Sequence, residues 1–163
     1  MTLEDSKATR LVGLIVRCGL AAVWLYAGLV KLFQTGGARE AIVGYRLFPA
    51  SWVSFLGYAL PAVEVALGLL LLAGLFTRLT AIISGLLFLA FIAGLVSVWA
   101  RGYSIDCGCF GGGGDVTAAG RNHRYTLEVI RDSIFTLLCA WLVFRPRTLL
   151  SLDGQPLPED ATA

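Results

Sequence analysis

The chain is organised as long apolar blocks separated by shorter polar ones. Crossing a bilayer takes roughly 20 mostly apolar residues whose backbone groups are bonded within the helix. Four stretches have that character: LVGLIVRCGLAAVWLYAGLVKLF at 11–33, WVSFLGYALPAVEVALGLLLLAG at 52–74, LTAIISGLLFLAFIAGLVSVWA at 79–100 and TLEVIRDSIFTLLCAWLVF at 126–144. The fourth is the shortest and has the most polar start. The pattern predicts an all-α membrane protein, a four-transmembrane-helix bundle occupying 11–144. A polar N-terminal tail covers 1–10 and a mobile polar tail covers 145–163. Segments 34–51 and 101–125 are expected as loops. An even number of spans puts both termini on one side and both loops on the other.

Composition agrees with lipid as the solvent. The 163 residues are 57% hydrophobic and 15% charged, with mean hydropathy +0.77. Soluble domains carry about 25% charged residues. The formal net charge is only +2, which gives no footing for a nucleic acid partner. Trp52, Trp99, Tyr103, Tyr125 and Trp141 fall near proposed helix ends, as in an interfacial belt. Orientation does not follow from charge. Lys7, Arg10, Arg78, Arg145 and Arg147 on the terminal side balance Arg39, Arg46, Arg101, Arg121 and Arg124 on the other.

Against this background the ionisable residues inside the spans stand out: Arg17, Lys31, Glu64, Glu128, Arg131 and Asp132. A charge at mid-helix costs about 2.5–3.5 kcal/mol on insertion scales, so such side chains turn inward and find partners. They are read either as pins that fix helix register or as a polar network beneath the second loop. Arg17 lies about 9 Å and Glu64 about 15 Å from the terminal side, which makes them candidate partners. Arg131 is the rival partner for Glu64, and Lys31 lies close in depth to Glu128 and Asp132.

The second loop carries DCGCFGGGGD at 106–115. Gly108 between Cys107 and Cys109 permits backbone angles that help a disulfide close across one residue. Strained, exposed disulfides are the labile and catalytic ones. A redox-active dithiol is the favoured reading. Two idle thiols, or a metal site drawing on His123, are the alternatives; the latter lacks the four spaced ligands zinc wants. Asp106 works against thiolate formation at Cys107. Cys18 and Cys139 read as packing residues, close enough in depth to meet.

Four elements together resemble the MauE/DoxX-like family of small bacterial membrane proteins, and its MauE branch in particular. They are GLVK at 28–31, LPAVEVALGLLLLAGLFTRL at 60–79, DCGCFG at 106–111 and EVIRD at 128–132. The resemblance implies a multi-pass protein of the bacterial cytoplasmic (inner) membrane with its cysteine loop on the outer face. It also implies work in extracytoplasmic thiol–disulfide chemistry or protein maturation with a thioredoxin-like partner. In that light Cys107 and Cys109 match the family's cysteine pair. Lys31, Glu64 and Arg131 match its recurrent intramembrane polar positions. No cofactor motif is evident; a quinone is the candidate cofactor, because related DoxX-like proteins belong to quinone-linked oxidoreductase complexes. The second reading is a non-catalytic anchor or assembly subunit of such a complex.

Overall fold

A computed structural model describes residues 7–110, 113–146, 148 and 150–152. Among the described residues five helices follow one another: α1 (Lys7–Phe33), α2 (Thr35–Tyr45), α3 (Ala50–Ala73), α4 (Thr77–Ala100) and α5 (Arg121–Phe144). Among the described residues α1, α3 and α4 are long and apolar enough to cross a membrane. The protein is all-helical and multi-pass. α5 reaches 24 residues, but its first half carries Arg121, Arg124, Glu128, Arg131 and Asp132, and it does not join the other three on that measure.

The first loop departs from expectation. Residues 35–45 form α2, where 34–51 reads from the sequence as a connection. Its modest apolar face, with Ala38 and Ala41 buried, covers the end of the bundle. The helix stops where Arg46 takes the left-handed conformation and Pro49 opens α3.

Small residues decide the main packing. A methyl group on Gly28 would lie 2.7 Å from Val65 and 2.9 Å from the Pro61 carbonyl oxygen, and one on Gly68 would lie 2.7 Å from Leu25. Glycine at these positions therefore lets α1 and α3 approach backbone to backbone, as in membrane helix pairs. The contacts run antiparallel: residue 25 faces 68, and residue 28 faces 61 and 65. α4 pairs chiefly with α5, and α3 packs far less on α4 than on α1, although only Gly74, Leu75 and Phe76 join α3 to α4. The core between the pairs is built on Leu20, Trp24, Leu67, Leu71, Phe88 and Leu142. Trp24 stacks on Phe88 with ring centroids 4.4 Å apart.

At one end of the bundle the chain folds back. Thr148 and Ser151 are buried. Ser151 Oγ donates to the Gly74 carbonyl at 3.0 Å, and Arg17 Nη2 donates to the Leu150 carbonyl at 3.1 Å. The expected mobile tail falls mostly on 153–163, outside the described residues.

Candidate functional site

The cysteine loop lies at the opposite end and is held from three sides. It doubles back on itself: Asp106 N–H donates to Gly114 O at 3.0 Å, Val116 N–H donates to Ser104 O at 2.9 Å, and Ile105 bridges Asp115. From α5, the buried Tyr125 hydroxyl accepts the Ile105 N–H at 2.8 Å. From α2, the Tyr45 hydroxyl donates to the Cys107 carbonyl at 3.2 Å. Phe110 lies under the Arg131 guanidinium, 4.6 Å from ring to charge, and 5.8 Å from the Tyr26 ring. Tyr125, read from the sequence as part of an interfacial belt, is instead an internal clamp. It serves the loop because position 125 opens the α5 face that continues with Glu128, Val129 and Asp132.

Gly113 is the fourth restraint. It has φ +150, and a Cβ there would lie 2.3 Å from the Gly37 carbonyl and 2.6 Å from the Ala41 nitrogen. Gly113 thus permits a close backbone approach, and the backbone approached is the chain's own α2.

Within this frame the CxC has two unlike thiols. Gly108 is left-handed at φ +67, and its N–H donates to the Asp106 carboxylate at 3.0 Å. This turn brings the Cys109 N–H to the Cys107 sulfur at 3.3 Å. Cys107 is 9% exposed, whereas Cys109 is half-buried. Hydrogen bonding between the thiol groups, burial and the charge on Cys109 hold the Cys107 thiol well above the ordinary thiol range. Burial, followed by the two cysteines, likewise pushes the Tyr45 phenol up, so it stays a donor. All four cysteines are free.

Ion pairs form among the ionisable residues inside the helices. Lys31 Nζ lies 2.5 Å from Glu64 Oε1, with side chains 5% and 0% exposed. Arg131 bonds Asp132 at 2.9 Å. The partners expected from equal depths are therefore corrected. Arg17 turns to the tail carbonyl at the far end, and Glu64 takes Lys31. The reason is the Gly28 and Gly68 register, which depth counted along separate spans does not include. Lys31 still acts on Asp132 through space. Glu128 lies on the α5 face whose Tyr125 is buried with Cys107 and whose Val129 packs against the same cluster.

Of the ionisable network Lys31 reaches the cysteines across a cavity of about 50 Å³, lined also by Tyr45, Pro61, Phe91, Cys107 and Cys109, among others. One water needs about 10–15 Å³ of such space, so a short water chain fits between the amine and the thiols. A larger apolar cavity of about 230 Å³ adjoins it between α2, α3 and α4 and shares Tyr45 and Phe91 as walls. Among the described residues no group of three or more His, Cys, Asp or Glu side chains is placed to hold a metal. His123 is exposed on the first turn of α5.

The model of the family described as Methylamine utilisation protein MauE matches residues 9–145. The chain belongs to the MauE family. Membership and the apolar helices together give it a membrane role in a redox or maturation context. No curated protein and no solved structure matches it.

Proposed function

We propose that this MauE-family protein is the membrane component of an extracytoplasmic thiol–disulfide pathway. Cys107 and Cys109 are its redox pair, and a thioredoxin-fold protein is its exchange partner. The observation that carries this reading is a pair of thiols of unequal access, with the Cys109 N–H on the Cys107 sulfur, on a loop fixed by α2 and α5. An outer sulfur is available to a partner, and an inner one can resolve the mixed disulfide. Exchange proceeds by thiolate attack through such an intermediate. In this reading α5 is a fourth span whose polar first half packs against the cysteine loop. Both termini share the cytoplasmic side, and the loop faces outward from the inner membrane.

The anchor reading needs intramembrane charges left over for a partner's helices. Pairing of Lys31 with Glu64 and of Arg131 with Asp132 inside the chain removes much of that motive.

The test is thiol labelling with a membrane-impermeant maleimide on intact cells, before and after mild reduction. Labelling of the loop only after reduction is expected. A Cys107→Ser, Cys109→Ser double variant that supports normal oxidation of extracytoplasmic thiols would overturn the redox role. Loop cysteines that label only once the membrane is opened would overturn the outward placement.

A further inference from the structure

Thiol exchange at Cys107 has a proton problem. The inner sulfur is walled in by its own loop, by α2 and by α5, and it must lose or gain a proton at each turn of the cycle. Bulk water reaches it poorly. A proton acceptor close to the sulfur is needed, and the carboxyls nearby are not equivalent. The Asp106 carboxylate holds the Gly108 N–H at 3.0 Å. Asp132 is bonded to Arg131 at 2.9 Å, and Glu64 to Lys31 at 2.5 Å. Glu128 stands on the α5 face beside Tyr125, which shares a buried cluster with Cys107, and beside Val129, which packs against that cluster. Its Oε2 is buried with no hydrogen-bond partner, so the carboxyl has capacity for a proton, and the side chain as a whole is only half-buried.

We propose that Glu128 is a catalytic residue that gives a proton to Cys107 when this sulfur leaves a disulfide and takes it back when the sulfur attacks. The inference rests on the thiol-exchange reading of the cysteine pair. In the reductive direction an external thiolate attacks Cys109 Sγ. The Cys109–external S–S bond forms and the Cys107–Cys109 bond breaks. Cys107 departs with the bonding electron pair and is protonated by Glu128. A second external thiolate, on the same reagent or partner, then attacks its own sulfur in the mixed disulfide and releases Cys109 as thiolate. The pair has gained two electrons and the external dithiol has become a disulfide. Glu128 regains its proton from water on its open side. The reverse sequence uses the Glu128 carboxylate as base.

The groups that face Glu128 and tune this transfer are Asp106 and Cys107 from the loop, Tyr45 from α2, and Arg131 and Asp132 on its own helix. Lys31 of α1 stands behind them, acting on Asp132.

The test uses the full chain in detergent micelles with its loop disulfide closed by diamide and dithiothreitol as the external dithiol. Loss of the Cys107–Cys109 bond is followed by quenched mass spectrometry across pH. Rates are expressed per dithiothreitol thiolate. The wild-type rate is expected to fall as pH rises through the Glu128 titration. Glu128→Gln is expected to slow reduction about 100-fold, as for loss of a general acid, and to lose that pH limb. Glu128→Asp should restore much of both. Iodoacetamide alkylation of Cys109 in the reduced protein should be the same in all three, which shows the loop intact. Glu128→Gln reacting at the wild-type rate with the limb retained would overturn the role of Glu128 and leave the exchange reading standing. A uniform slowing with the limb retained would mean positioning only and would also overturn it. A wild-type loop that never closes a disulfide would overturn both.

Discussion

The Lys31 amine and the Glu64 carboxylate meet at 2.5 Å with almost no solvent on either. This pair ties the end of α1 to the middle of α3 directly beneath the cysteine cavity. A buried pair is a weak source of net stability, because desolvation offsets the attraction, but removing one partner strands the other.

Lys31→Met or Glu64→Leu alone is therefore expected to destabilise the fold by about 3–5 kcal/mol. The double variant Lys31→Met, Glu64→Leu should lie much nearer to wild type. Thermal unfolding of the purified proteins in detergent decides it. A double variant as unstable as the worse single one would mean that the charges serve more than each other.

The two loop thiols should react in a fixed order. The thiolate is the nucleophile, and the raised affinity of Cys107 for its proton means less thiolate at a given pH. Iodoacetamide should modify Cys109 first near neutral pH. The pH profile of Cys107 should be displaced to higher pH than that of an ordinary cysteine. Peptide mass spectrometry over a pH series reads both. Equal profiles would contradict the inward placement of Cys107.

Gly113→Ala should release the cysteine loop from α2. The added methyl meets backbone at 2.3 and 2.6 Å, which no side-chain rotation relieves, and overpacking of this kind costs about 1–3 kcal/mol. Cys107 should then label several times faster. Gly120→Ala is the control, with φ +71 but nothing within 4 Å. It should cost about 1 kcal/mol of backbone strain and leave the labelling of Cys107 unchanged.

Gly28→Ala should act at a distance. Its methyl would lie 2.9 Å from both the Pro61 carbonyl and the Val65 nitrogen, so α1 and α3 must separate. The expected result is lower thermal stability together with faster labelling of Cys107, because the Lys31–Glu64 contact closes the floor of the cavity. Lower stability with Cys107 labelling unchanged would separate helix packing from the site.

The apolar blocks were legible because burial in lipid and burial in protein demand the same residues over the same length. That logic found α1, α3, α4 and the apolar half of α5. It could not see α2: TGGAREAIVGY is too short and too polar to show a membrane period, and its helix depends on covering the bundle and receiving Gly113. The ionisable residues were legible as a set, since each is costly in lipid.

The sequence by itself determined the class of the protein, its apolar helices, the cysteine pair and the need for buried partners. Residue type alone carries the transfer free energies behind those conclusions. Only the tertiary structure decided who meets whom. Close approach at Gly28 and Gly68 sets the α1–α3 register and gives Glu64 to Lys31. Folding back of the tail gives Arg17 to Leu150. Docking of the loop onto α2 and α5 turns Cys107 inward, through Tyr45 and Tyr125. Each of these is a contact between residues far apart in the chain, chosen by shape and hydrogen bonding, and neither quantity is written in local composition.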